Sequence, residues 1–331
     1  MVVSVNGTKM TCVPTELEDG GARPAPDNPN DCGEVGASLV AYELVGGGVP
    51  RADSPMGATV SSNGTVWVTS GRQSDTPRFS QTNQNDYVVY SDVANLHVDV
   101  SSFVGLGPGS THAVAVGQKW AYFSGRFPSA VINPPLVRLV QCPPSGCMVI
   151  FPNLENDVKI QEARGIALSS DETRMYLAGR QATGVVGSDV LVIASITGAA
   201  TDSPALSLSR IVPVPAEPQV VQTISRGPGR GDLVVVTCGA TGVLVIYDDE
   251  RGDIAAQVDG LGLEPASFAV DLQPPGARIY VSNFTDGRVA VVDIPDLDLP
   301  QFARIVAHLG ASQTCLTRSL DCDGGMGGAY P

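Results

Sequence analysis

Histidine, lysine, aromatic side chains and long apolar runs are all scarce in this chain, and each scarcity removes a class of function. There are three His, at 97, 112 and 308, too few and too scattered for a histidine-built metal centre. Of the 20 basic residues only Lys9, Lys119 and Lys159 are lysines. Against 34 acidic residues they leave a net charge of −14 and a pI near 4.5, a surface that repels phosphate backbones and argues against nucleic acid as partner. No apolar run approaches the roughly 18 residues that span a bilayer, and no stretch has the period of a long amphipathic helix. A G-x-S-x-G elbow, a Walker loop and a nucleotide fingerprint opening a helix are all missing, and without C-x-x-C-H covalent c-type haem is excluded. The string Gly227-Pro228-Gly229-Arg230-Gly231 reads as a tight turn, because no helix follows it. Aromatics are only 5% while hydrophobic residues reach 43%, so the core must rest on Val, Ile, Leu and Ala, which suit pleated sheets.

What is abundant is punctuation and repetition. Gly (37) and Pro (25) break the chain into many short strands, an all-β pattern. Five strands align on a common centre: Val66-Trp67-Val68, Ala121-Tyr122-Phe123, Met175-Tyr176-Leu177, Val234-Val235-Val236 and Ile279-Tyr280-Val281. They recur about every 55 residues, falling to about 45 at the last. Each has an alternating strand upstream, such as Ala113 to Val116 or Phe268 to Leu272. Each also has an apolar strand downstream, such as Val190 to Ile193 or Val289 to Val292, and a more variable fourth strand, as at Arg304 to His308. Four antiparallel strands repeated radially predict a β-propeller occupying residues 1–331 as one domain.

At the N-terminus Val2 to Val5 reads as a second strand and Ser38 to Tyr42 as a third. At the C-terminus Ala311 to Leu316 reads as a first strand without partners, so it completes the N-terminal blade and closes the ring. That makes six blades, or seven if the chain is trimmed. Two segments fall outside the repeat: an acidic, Pro-rich loop at 14–36 and a Gly-rich tail at 320–331.

The seven Cys bear on compartment. Cys142 and Cys147 bracket a turn between two apolar strands, Cys12 and Cys32 flank the acidic loop, and Cys315 and Cys322 flank the start of the tail. Bridges at these places would staple the least regular segments, whereas Cys238 ends a strand and reads as a buried free thiol. Metal ligation is the competing reading, but three His and no paired C-x-x-C motifs favour disulfides and an oxidising compartment. Residues 1–5 run straight into strand-like sequence with no signal segment, so an exported chain is expected in mature or trimmed form.

Residues Arg164 to Leu177 and Ala277 to Asn283, with Val289-Ala290-Val291-Val292-Asp293-Ile294, resemble the YVTN repeat of bacterial surface-layer and periplasmic propellers. The resemblance implies an exported, non-cytoplasmic propeller that binds proteins or small ligands. The wider group includes lactonase-type enzymes, but the motif specifies strands and turns rather than activity.

Function is sought where equivalent positions face the ring axis. Gly71-Arg72, Gly125-Arg126 and Gly179-Arg180 follow the second strands of successive units, and three guanidiniums on one face would bind a carboxylate or phosphate. The plainer reading pairs each Arg with a local acid such as Asp75 or Glu162. His112 and Arg164 precede innermost strands near the channel mouth, where His112 is a candidate general base and Glu162 a second proton carrier. The alternative makes His112 a hydrogen-bonded loop residue. His97 and His308 fall on outer strands. No cofactor is expected, a structural calcium in the channel or at Asp321 and Asp323 being the exception. Asn6-Gly7-Thr8, Asn63-Gly64-Thr65 and Asn283-Phe284-Thr285 match glycosylation sequons that arise by chance in such turns. Three functions remain open: a non-catalytic binding scaffold for a protein or small anion, a lactonase-like or isomerase-like enzyme acting on a carboxylate, and a structural subunit of an envelope assembly docking through 14–36.

Overall fold

Strands that are apolar on both faces have to lie between two other sheets, and several strands here are of that kind. In the computed structural model, Leu233–Cys238 and Val243–Asp248 are buried along their whole length, whereas Ala205–Pro213 and Arg304–Leu309 are largely exposed. The structure describes residues 3–6, 9–12, 55–60, 66–70, 86–90, 103–105, 110–126, 136–141, 148–152, 154, 160, 162–180 and 189–310.

A hairpin of β1 (Val3–Asn6) and β2 (Lys9–Cys12) comes first. Among the described residues five four-stranded antiparallel units follow. The first holds β3 (Pro55–Val60), β4 (Val66–Ser70), β5 (Asp86–Tyr90) and β6 (Phe103–Gly105). The second holds β7 (Ser110–Val116), β8 (Ala121–Arg126), β9 (Val137–Gln141) and β10 (Met148–Ile150). The third holds β11 (Glu162–Leu168), β12 (Arg174–Arg180), β13 (Val190–Thr197) and β14 (Ala205–Pro213). The fourth holds β15 (Pro218–Ile224), β16 (Leu233–Cys238), β17 (Val243–Asp248) and β18 (Asp253–Val258). The fifth holds β19 (Pro265–Gln273), β20 (Gly276–Asn283), β21 (Val289–Ile294) and β22 (Arg304–Leu309). One backbone pairing, Glu162 of β11 opposite Arg126 of β8, joins the second and third units into an eight-stranded sheet. Among the described residues the helical content is a single short turn, Pro300–Phe302, and no helix is long and apolar enough to cross a membrane.

The first strands stand side by side in order, β3 against β7, β7 against β11, β11 against β15 and β15 against β19. The core lies in the gaps between consecutive sheets. Trp67 meets Phe123 edge to face with ring centroids 6.0 Å apart, closing the first gap. Trp120, Tyr122 and Leu139 pack on Met175, Leu177 and Val192 in the second. Tyr176 and Leu191 pack on Val234 and Val245 in the third, and Leu244 and Ile246 on Ile279 and Val292 in the fourth. Each such side chain contributes about 1.5–3 kcal/mol when fully buried, and none of it is realised by a sheet standing alone. This is a β-propeller, as the repeat predicts.

The N-terminus departs from expectation. β1 pairs with the adjacent β2, a strand that the sequence reading did not include. Asn6 stands opposite Lys9, and closing so short a loop costs little entropy. Ser38 to Tyr42, the loop at 14–36, Ala311 to Leu316 and the tail at 320–331 lie outside the described residues.

Candidate functional site

Among the described residues, the first strand of each of the five units carries an irregularity at the same place, near its first residues: between Pro55 and Gly57, Thr111 and Val114, Ala163 and Gly165, Pro218 and Val221, and Pro265 and Ser267. A bulge puts an extra residue opposite one partner and re-aims its side chain. In the second, third and fourth units the residues so placed include His112, Arg164 and Gln219, and they form a chain across the sheets. Thr69 Oγ1–H donates to the His112 carbonyl at 3.0 Å. His112 Nδ1–H donates to the Arg164 carbonyl at 2.7 Å, which assigns the ring proton to Nδ1. Arg164 Nη1–H then donates to Gln219 Oε1 at 2.8 Å.

Two residues before Arg164 and Gln219 lie the carboxylates of Glu162 and Glu217. Arg164 Nε contacts Glu162 Oε1 at 2.8 Å. Arg180, at the end of β12, reaches Glu162 Oε2 at 3.3 Å and Glu217 Oε1 at 2.7 Å. Glu162 is therefore held between two guanidiniums, and its side chain is 15% exposed. Glu217 is fixed in turn: its N–H donates to Asp189 Oδ2 at 2.5 Å, and its carbonyl accepts from Gly239 N–H at 2.7 Å. Its φ is +62°, a left-handed turn that costs a non-glycine residue about 1–2 kcal/mol and aims the carboxylate back at Arg180. Gly239 occupies the register place of Arg180 in the fourth unit. A Cβ there would lie 2.8 Å from Gln219 Nε2, so glycine leaves room for the Arg164–Gln219 bond.

The predicted arginines divide. Gly125-Arg126 and Gly179-Arg180 share one register place, since Thr111 faces Gly125 and Ala163 faces Gly179. In the first unit that place belongs to Ser70, opposite Pro55. Gly71-Arg72 falls one residue later in the sequence, since Gly71 is four residues past Trp67 while Gly125 and Gly179 are three past Tyr122 and Tyr176, and both Gly71 and Arg72 lie outside the described residues. Arg126 is described only through its backbone, opposite Ser110 and Glu162. His112, Glu162, Arg164 and Arg180 do come together, with Glu217 and Gln219, which the sequence reading missed. The recurring pairs Glu217-Pro218 and Glu264-Pro265 were the signal available for the former.

Other candidates fall elsewhere. His308 is exposed on the outer strand β22, its Nε2–H donating to the Gly260 carbonyl at 3.1 Å. His97, Asp75, Asp321, Asp323 and Asn63 lie outside the described residues, as do Cys32, Cys142, Cys147, Cys315 and Cys322. Cys12 ends β2. Cys238 is buried and free, and burial, with Asp189 adding to it, pushes its thiol up to about 12. Among the described residues no three His, Cys, Asp or Glu side chains converge to hold a metal. The sequon at Asn283 is not a glycan acceptor: the side chain is 3% exposed and its amide donates to the carbonyls of Leu261 and Arg288.

No family model and no curated protein match the sequence. Among solved structures, a protein from Lactobacillus plantarum is similar at 14% identity and TM-score 0.53, over 79% of this chain and 72% of that one. The dihydro-haem d1 dehydrogenase NirN in complex with DHE is similar at 14% identity and TM-score 0.49, over 80% of this chain and 48% of NirN, so this chain spans about half its length. A nidogen/laminin complex contains a chain similar at 10% identity and TM-score 0.45, over 80% and 83% respectively. At such identities only the first of these likenesses bears on the argument, and what it shows is the fold.

Proposed function

We propose that this chain is a non-catalytic, extracytoplasmic binding propeller whose loop face meets a protein partner. The observation carrying this reading is the position of Glu162. It fills the place between Arg164 and Arg180 that a ligand carboxylate would need, and Glu217 and Gln219 take further guanidinium donors. An anion ring, or an enzyme holding a carboxylate substrate, needs cations free to receive it. Here the cations clasp the third sheet to the fourth and stiffen the face that carries the loops. The same proposal takes the ring as six blades in one domain, residues 1–331, closed by the strand at 311–316, and takes the chain as kin to the YVTN-type envelope propellers.

Titration calorimetry on the full chain with citrate and with inorganic phosphate tests the reading. No saturable heat is expected for either, while Arg180→Ala should lower the unfolding free energy by about 1–2 kcal/mol through the lost charge-assisted bonds. Citrate binding at micromolar Kd that Arg180→Ala abolishes would overturn the scaffold in favour of the anion site.

Export carries its own expected result. Peptide mapping without reductant should recover Cys12–Cys32, Cys142–Cys147 and Cys315–Cys322 as bridged pairs, and leave Cys238 as the free thiol. Because the thiolate is the reactive form, a thiol pushed up to about 12 stays protonated and unlabelled by maleimide at pH 8 until the chain is unfolded. Six unbridged, readily alkylated cysteines would remove the argument for export.

A further inference from the structure

We infer that the corner of the loop face formed by Phe284 and Leu263 is the anchoring point for the protein partner, and that the partner offers an apolar side chain flanked by Lys or Arg. This rests on the binding reading above and adds the place and the chemistry. Phe284 is 79% exposed and Leu263 46%, on two different loops of the same face. Phe284 follows Asn283 at the end of β20, the register place that Arg180 holds in the third unit. The site just described thus continues round the ring and changes from cationic to aromatic.

Such exposure means little on a fraying loop, and these loops are held. Phe284 N–H donates to the Glu264 carbonyl at 2.9 Å, and Leu263 N–H to Asp286 Oδ2 at 3.2 Å. Asn283 Nδ2–H donates to the Leu261 carbonyl at 2.8 Å, and Thr285 Oγ1–H to Glu264 Oε2. Gly262, at φ +128°, brings the loops so close that a Cβ would lie 2.5 Å from Asp286 Oδ2. An aromatic side chain on a braced loop loses little freedom on binding, and buried aromatics of this kind carry most of an interface's energy.

The surroundings select the partner. Asp259, Glu264 and Asp286 lie on the same two loops as the apolar pair, within a molecule of net charge −14. Of the basic groups at this corner, His308 gives its Nε2–H to Gly260 and Arg288 has partners of its own. A segment bearing Lys or Arg beside an apolar residue is steered towards this potential, while nucleic acid and anionic lipid are repelled.

The test is panning of random dodecapeptides displayed on phage against the immobilised full chain, Phe284→Asp and Arg180→Ala. Enriched peptides should carry an aromatic or large aliphatic residue within two positions of Lys or Arg. Their recovery should fall at least about tenfold on Phe284→Asp and hold on Arg180→Ala, and melting of Phe284→Asp should stay within about 2 °C of the parent. Peptides that are acidic, or that depend on Arg180 rather than Phe284, would sink this inference and leave the loop-face reading standing. No enrichment at all would sink both. A loss of more than about 5 °C in Phe284→Asp would mean that the chain's own segment beyond Leu309 covers the corner, and would likewise overturn the proposal.

Discussion

Replacing Arg226 by methionine is expected to lower the unfolding free energy by about 3–5 kcal/mol, among the largest effects of any single charged residue in the described structure. The side chains of Arg226 and Asp248 are 3% and 1% exposed. Arg226 gives Nη1–H and Nη2–H to the two carboxylate oxygens at 3.1 and 2.7 Å, and Nε–H to the Gly231 carbonyl at 2.6 Å. The N–H groups of Glu250 and Arg251 also point at Asp248 Oδ1, so the carboxylate cannot leave its pocket when the arginine goes. Much of the cost is that stranded charge, and a second change separates it from the worth of the pair. Arg226→Met with Asp248→Leu should recover most of the loss. As a control, Arg251→Met removes a pair 3.7 Å long with both side chains more than half exposed and should change stability by less than about 0.5 kcal/mol. Denaturant melts at low and high salt measure all three. A loss in Arg226→Met that vanishes at high salt would show the pair to be screened and would refute the argument from burial.

Trp120→Ala should cost a comparable 3–5 kcal/mol, and the damage should be local. Trp120 is 1% exposed, and its Nε1–H donates to the Thr201 carbonyl at 2.9 Å, binding the turn after β7 to the third sheet. Around it Gln118 N–H meets Glu172 Oε1 at 2.7 Å and Lys119 meets Asp202 at 2.8 Å, so indole and ion pair close the same seam. In a stack of units that touch only their neighbours, a failed seam loosens the two sheets beside it first. Hydrogen exchange should therefore lose protection in β8 and β12 while β16 and β20 keep theirs. Equal loss in all four strands would show that the sheets open as one body.

The strands were legible because burial on both faces leaves no choice of residue. A run such as Leu233 to Cys238 lies between two sheets and is apolar but for Thr237, whose hydroxyl takes the Val220 N–H. The site was less legible because a bulge has no residue type of its own. Met56, His112, Arg164, Gln219 and Ala266 fall within the same irregular step of successive first strands, and nothing in their chemistry says so. Counting from the central aromatic puts Gly125 and Gly179 three residues on but Gly71 four, an offset of one that the aligned Gly-Arg pairs hide. Arg180 and Glu162 were singled out, but that Glu162 would also clasp Arg164 depends on which way the bulge turns its neighbour. Phe284 passed unnoticed inside a sequon whose asparagine is buried, and the short strand Lys9–Cys12 that pairs with Val3–Asn6 was not read at all.

The repeated step in the first strands has a consequence for how such a molecule can change. Substitutions in that row alter what the loop face displays, and those that keep a polar bridge such as Arg164 to Gln219 leave the seams between sheets held. A lineage could exchange arginine for glutamine or histidine at these positions and acquire new specificity on an unchanged frame, and an engineer could begin a combinatorial library there.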